Sequence, residues 1–94
     1  MRIAGIIWHR EVVDKLACKH LVTTDEVEEA LTVARRFRFI ETGDVEGEDV
    51  YAAMGRTGAG RYLIIYFVYK AAKEALIISA REMTRKEKRA YAKK

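Results

Sequence analysis

The second half of this chain is a succession of strand-length runs joined by links too short to hold another element. Arg36-Phe37-Arg38-Phe39-Ile40-Glu41 alternates polar and apolar residues, the pattern of a half-buried strand. Val50–Gly55 is a second run, Arg61–Tyr69 a long apolar third, and Ala75–Ala80 a fourth that stops at Arg81. An acidic loop over 43–49, a turn at Thr57-Gly58-Ala59-Gly60 and a polar link over 71–74 separate them. Such links join neighbouring strands, so this half reads as an antiparallel meander.

The first half supplies helices to cover it. Ile3–Trp8 is a short apolar strand, and Arg10–Lys19 repeats Val12, Val13, Leu16 and Ala17 at helical spacing. Thr23 followed by Glu26 is a capping-box start for a second helix, which runs to about Arg36. Its acids come early and its arginines late, as the helix dipole favours. A third helix spans Thr84–Lys93. The expected fold is α+β in the order β-α-α-β-β-β-β-α. One domain over 1–94 holds an antiparallel sheet of four to five strands, two N-terminal helices and one basic C-terminal helix. Such a sheet has one face covered and one at least partly open.

Charge is unevenly placed. Residues 81–94 hold seven Lys/Arg and two Glu, a net of +5, whereas residues 1–80 hold eleven Lys/Arg and twelve Asp/Glu, a net of −1. A balanced body with one basic element suggests an anionic partner at a defined place, most commonly nucleic acid. The run Ile3–Trp8 is too short for a signal-peptide core, and Tyr62–Tyr69 is far too short to span a membrane. The expected location is the cytoplasm, with no membrane partner. One cysteine, Cys18, excludes an intrachain disulfide. His9, Cys18 and His20 are too few for a closed zinc site and lie at both ends of the first helix. Neither a metal nor a small-molecule cofactor is expected.

Gly55-Arg-Thr-Gly-Ala-Gly-Arg61 has glycines enough to cradle phosphate, but it lacks the Gly-Lys-Ser/Thr ending and a following helix. It reads as a hairpin, with Arg56 and Arg61 near each other across the turn. Tyr51, Tyr62, Tyr66, Phe67 and Tyr69 form either core and cross-strand pairs or a stacking surface for unpaired bases. His20 is either a helix C-terminal cation or a proton carrier. No Ser-His-Asp arrangement is visible. The available tools are basic, and they suit cleavage of RNA by its own 2′-hydroxyl, which needs proton transfer and cations on the phosphorane but no protein nucleophile.

Trp8, the pair Lys19-His20, Thr23 and the glutamate-rich helix resemble the N-terminal half of BrnT-type toxins. Gly55, Gly60-Arg61, the apolar strand, Ile78-Ser79-Ala80-Arg81, then Thr84, Glu87, Arg89 and Tyr91 resemble the second half. Leu16, Leu21 and Leu76 depart from the pattern, which often has Asn, Gly and Arg there. The resemblance implies a RelE-like fold, a small ribonuclease that stalls growth, and a neighbouring DNA-binding antitoxin of ribbon-helix-helix type. It places Arg81 and Arg61 in the active region. On this reading Arg61 and Arg81 hold the scissile phosphate and His20 is an acid or base. Arg56, Arg85, Lys86, Lys88, Arg89 and Tyr91 grip the RNA. Two rival readings remain. One is a non-catalytic module binding RNA or antitoxin through the same surface; the other makes the basic helix a soluble lid on the sheet.

Overall fold

The computed structural model describes residues 1–93. The chain runs β1 (Gly5–Ile7), α1 (Arg10–Lys15), a π-helical turn (Leu16–His20), α2 (Thr24–Val33), β2 (Arg36–Val45), β3 (Glu48–Arg56), β4 (Tyr62–Tyr69), β5 (Glu74–Glu82) and α3 (Arg85–Ala92). The five strands form one sheet in the order β1-β5-β4-β3-β2. The meander over β2 to β5 is antiparallel, as its short links require. β1 joins β5 in parallel, which makes the sheet mixed. A strand far from its neighbour in sequence is free of the hairpin constraint. Here α1 and α2 carry the chain from one edge of the sheet to the other.

The acidic segment differs from its expectation as a loop. β2 extends to Val45 and β3 begins at Glu48, leaving a tight turn with Gly47 at φ 81°. The acidic side chains need only solvent, and a hairpin at the sheet edge provides it. α2 also ends sooner, at Val33, where Ala34 is already extended. Its start is as read: the Thr23 hydroxyl accepts from the Glu26 N–H, and the Glu26 carboxylate accepts from the Thr23 N–H.

Helices bury one sheet face. Leu16, Val22, Val27 and Ala30 pack against Leu63, Ile65, Phe67 and Ile77, each essentially without exposure. α2 lies so close to β3 that a Cβ on Gly55 would collide with the Ala30 carbonyl. The opposite face is thinner. Ala52, Met54, Ile64 and Met83 form a small cluster that Tyr62, Tyr66 and Tyr91 partly cover. α3 reaches this face through Tyr91, while Arg36 and Arg38 on β2 stay exposed.

A bulge in β5 decides what each face carries. Tyr66 pairs with Ser79 but Phe67 with Ile77, so Ile78 is the extra residue. Ile77 and Ala80 are consequently both buried, although strict alternation would put them on opposite faces. The same shift turns Arg81 away from the core. In an unbroken strand Arg81 would share the inward face of Ile77.

Candidate nucleic-acid interface

Arg81 stands on the thin face, paired across β4 with Ile64. Its guanidinium donates to both Glu87 carboxylate oxygens, at 2.7 and 2.9 Å, to the Tyr66 hydroxyl at 3.1 Å and to the Glu82 carbonyl at 3.2 Å. It also lies 5.9 Å from the Tyr66 ring centroid. Glu87 is fixed in turn by α3, because its carboxylate accepts from the Thr84 N–H while the Thr84 hydroxyl accepts from the Glu87 N–H. The Glu87 carboxylate holds the Arg81 guanidinium protonated well beyond its ordinary range. Arg81, with help from the Thr84 N–H, pulls the Glu87 carboxyl down to about 2. These bonds use four of the five N–H groups of the guanidinium. The Nε–H has no hydrogen-bond partner among the described residues, and about a third of the side chain (35%) is exposed.

A second cluster forms around Tyr62 at the start of β4. The Arg56 guanidinium lies 5.2 Å from its ring centroid, the Lys88 ammonium 5.5 Å, and Tyr91 meets it edge-on at 5.9 Å. The structure thus gathers Arg56, Lys88 and Tyr91 beside Arg81 on the thin face. Arg85, Lys86 and Arg89 lie exposed along α3. Between α3 and β2 runs a groove of about 530 Å³, floored by Ala52, Met54, Ile64 and Tyr66.

Arg61 and His20 are elsewhere. Arg61 points to the helix face. It donates to both Glu26 oxygens at 3.0 Å, to Glu82 at 3.1 Å, to the Leu21 carbonyl at 2.7 Å and to the His20 carbonyl at 3.2 Å. The Glu26 carboxylate is the main reason its guanidinium is held protonated beyond the ordinary range. Leu21 adopts φ 53°, and this left-handed step ends the π-helical turn. Arg61 therefore ties that turn and the start of α2 to the end of β5. The structure brings His20 and Arg61 together, but puts them across the sheet from Arg81.

Sequence reasoning missed Glu87 and Tyr66 as partners of Arg81. Thr84 followed by Glu87 is the same capping-box signature that located α2, so Glu87 was findable. Nothing local connects Tyr66 to Arg81, because the β5 bulge sets that contact.

The fold is a mixed-sheet α+β fold, covered by helices on one face and carrying arginines and tyrosines on the other. The chain belongs to the BrnT family: the family described as "Ribonuclease toxin, BrnT, of type II toxin-antitoxin system" matches residues 8–87. Membership makes it a ribonuclease toxin with an RNA substrate and an antitoxin partner. Comparison with curated proteins gave no match. Among the described residues no helix is long and apolar enough to cross a membrane.

Proposed function

We propose that this toxin cleaves RNA without a metal, by attack of a 2′-hydroxyl on the adjacent phosphate, with Arg81 as the cation on the transition state. The observation that carries this reading is the anchoring of Arg81. A guanidinium pinned by Glu87, Tyr66 and a carbonyl pays no reorganisation when charge develops on the phosphorane. Its free Nε–H is the donor first available to a phosphate oxygen. An ammonium in its place could not keep these partners and still present a further donor in a fixed geometry, as guanidinium does. The Tyr66 hydroxyl, which can donate or accept a proton, sits beside it. Arg56, Lys88 and the exposed cations of α3 supply sequence-independent attraction for the backbone.

His20 and Arg61, on the helix face, lie outside this arrangement, and we assign Arg61 to holding the fold. The antitoxin is proposed to be a ribbon-helix-helix DNA-binding protein that neutralises the toxin in the cytoplasm by covering the basic face.

The test is cleavage of single-stranded RNA in EDTA by wild type, Arg81→Ala and Arg81→Lys, with melting temperatures measured in parallel. Arg81→Ala is expected to lose on the order of 10²-fold in rate, as for removal of one preorganised donor. Arg81→Lys should recover little. Full cleavage by Arg81→Ala removes Arg81 from the mechanism, and wild-type cleavage abolished by EDTA refutes metal independence.

A further inference from the structure

Two rows of side chains cross the open face at right angles to the strands. Arg36 pairs with Met54, Met54 with Ile64, and Ile64 with Arg81. Arg38 pairs with Ala52, Ala52 with Tyr66, and Tyr66 with Ser79. The first row thus runs from arginine over two apolar residues to arginine. Three strand spacings separate its ends, about 14 Å of backbone at roughly 4.8 Å per spacing. The groove lies along this row, with Arg36 and Arg38 on one wall and Glu87 and Ala90 of α3 on the other; Arg81 stands behind Glu87. Arg36 and Arg38 are exposed, and neither is within salt-bridge distance of a carboxylate among the described residues. Arg35, in the link just before β2, continues this wall.

From this arrangement we propose that the groove is a nucleobase subsite, in which one unpaired base of the RNA lies on Met54, Ile64 and Tyr66 while the backbone crosses from Arg81 to Arg36 and Arg38. The inference rests on the ribonuclease reading for its substrate class, and on the two rows for its location. An apolar floor with an aromatic ring suits the face of a base, since stacking and apolar contact are indifferent to its identity. Arg35, Arg36 and Arg38 on the β2 wall suit a phosphate beside the base, and on the α3 wall the lining carboxylate of Glu87 is neutralised by its pair with Arg81. At about 530 Å³ the groove is within the roughly 300–1,000 Å³ usual for small organic groups. A base inside a duplex is stacked and paired, and cannot enter. The subsite therefore selects single strands. An extended acidic peptide is the poorer fit. It would pair with the free backbone edge of β2, outside the groove.

The test measures binding, so that cleavage does not enter it. A fluorescent single-stranded oligonucleotide with 2′-O-methyl sugars, which cannot cleave itself, is titrated into wild type, an Arg36→Ala/Arg38→Ala double variant and Met54→Trp, which fills the groove. The same oligonucleotide as a duplex is the comparison. The expected result is a roughly tenfold or greater loss of single-strand affinity in each variant, with melting temperatures held for the double variant, and weaker binding of the duplex to wild type. Unchanged single-strand binding in the double variant overturns the subsite, even if RNA cleavage by wild type stands. So does equal affinity for duplex and single strand, or no binding by wild type. Binding that follows the prediction in a protein that never cleaves RNA keeps the subsite and refutes the catalytic reading. Loss of antitoxin binding in the double variant, with oligonucleotide binding intact, identifies the groove as the antitoxin's and overturns the proposal.

Discussion

Arg61→Ala separates a structural from a catalytic arginine, and its cost can be worked from the contacts. The Arg61–Glu26 pair is mostly covered, with 23% and 28% of the side chains exposed. A hydrogen bond to a charged group contributes about 1.5–3 kcal/mol. The Glu82 partner is 62% exposed, so that bond adds less than about 1 kcal/mol. The carbonyls of His20 and Leu21 end the π-helical turn and lose their protein donor. The sum is a loss of about 2–4 kcal/mol. For a domain of this size each 1 kcal/mol moves Tm by about 4–8 °C, so a fall on the order of 10–30 °C is expected. Arg61→Lys should repair less than half, because an ammonium cannot reach two carbonyls and two carboxylates in one fixed geometry. Urea unfolding followed by circular dichroism gives the free energy directly. A loss below about 1 kcal/mol refutes the latch and returns Arg61 to the candidate phosphate ligands. Lost cleavage at an unchanged Tm does the same.

Three further outcomes follow from particular residues. The Glu87 carboxyl titrates at about 2 in the folded chain against an ordinary 4.5, so its contribution to stability is full above the higher value and fades as pH falls toward the lower. Thermal melts from pH 6 to pH 2 should therefore steepen below about pH 4.5 in wild type and less so in Glu87→Gln; identical pH profiles would count against the Arg81–Glu87 pair. Leu21→Gly should leave stability unchanged or raise it by up to about 1 kcal/mol, because a left-handed leucine costs roughly 1–2 kcal/mol and glycine returns part of that as unfolded-chain entropy; a clear loss in urea titration would contradict it. Gly55→Ala should destabilise by about 1–3 kcal/mol or more, since its Cβ meets the Ala30 carbonyl and not a movable side chain; wild-type Tm in that variant would show that α2 can stand off from β3.

Local signals were enough for much of the architecture. Alternation from Arg36 to Glu41, the glycine turn before Arg61 and the Thr23–Glu26 box each act within a few residues, and the starts of β2, β4 and α2 stand where these signals put them, whereas the ends of β2 and α2 do not. The basic character of α3 was equally plain, because charge is a property of composition. What the chain does with its arginines was not legible in that way. Whether a strand residue faces core or solvent depends on register, and one extra residue reverses it. The bulge at Ile78 turns Arg81 out to Glu87 and Tyr66. The π-helical turn and the left-handed Leu21 present carbonyls to Arg61 from forty positions away in the chain. Two arginines that look alike in sequence thus end on opposite faces, one closing the fold and the other beside an open groove. Sequence sets the elements because hydrogen bonding and hydrophobic periodicity are local. Tertiary structure assigns the arginines because a guanidinium's role is set by the partners that reach it, and those partners come from distant parts of the chain.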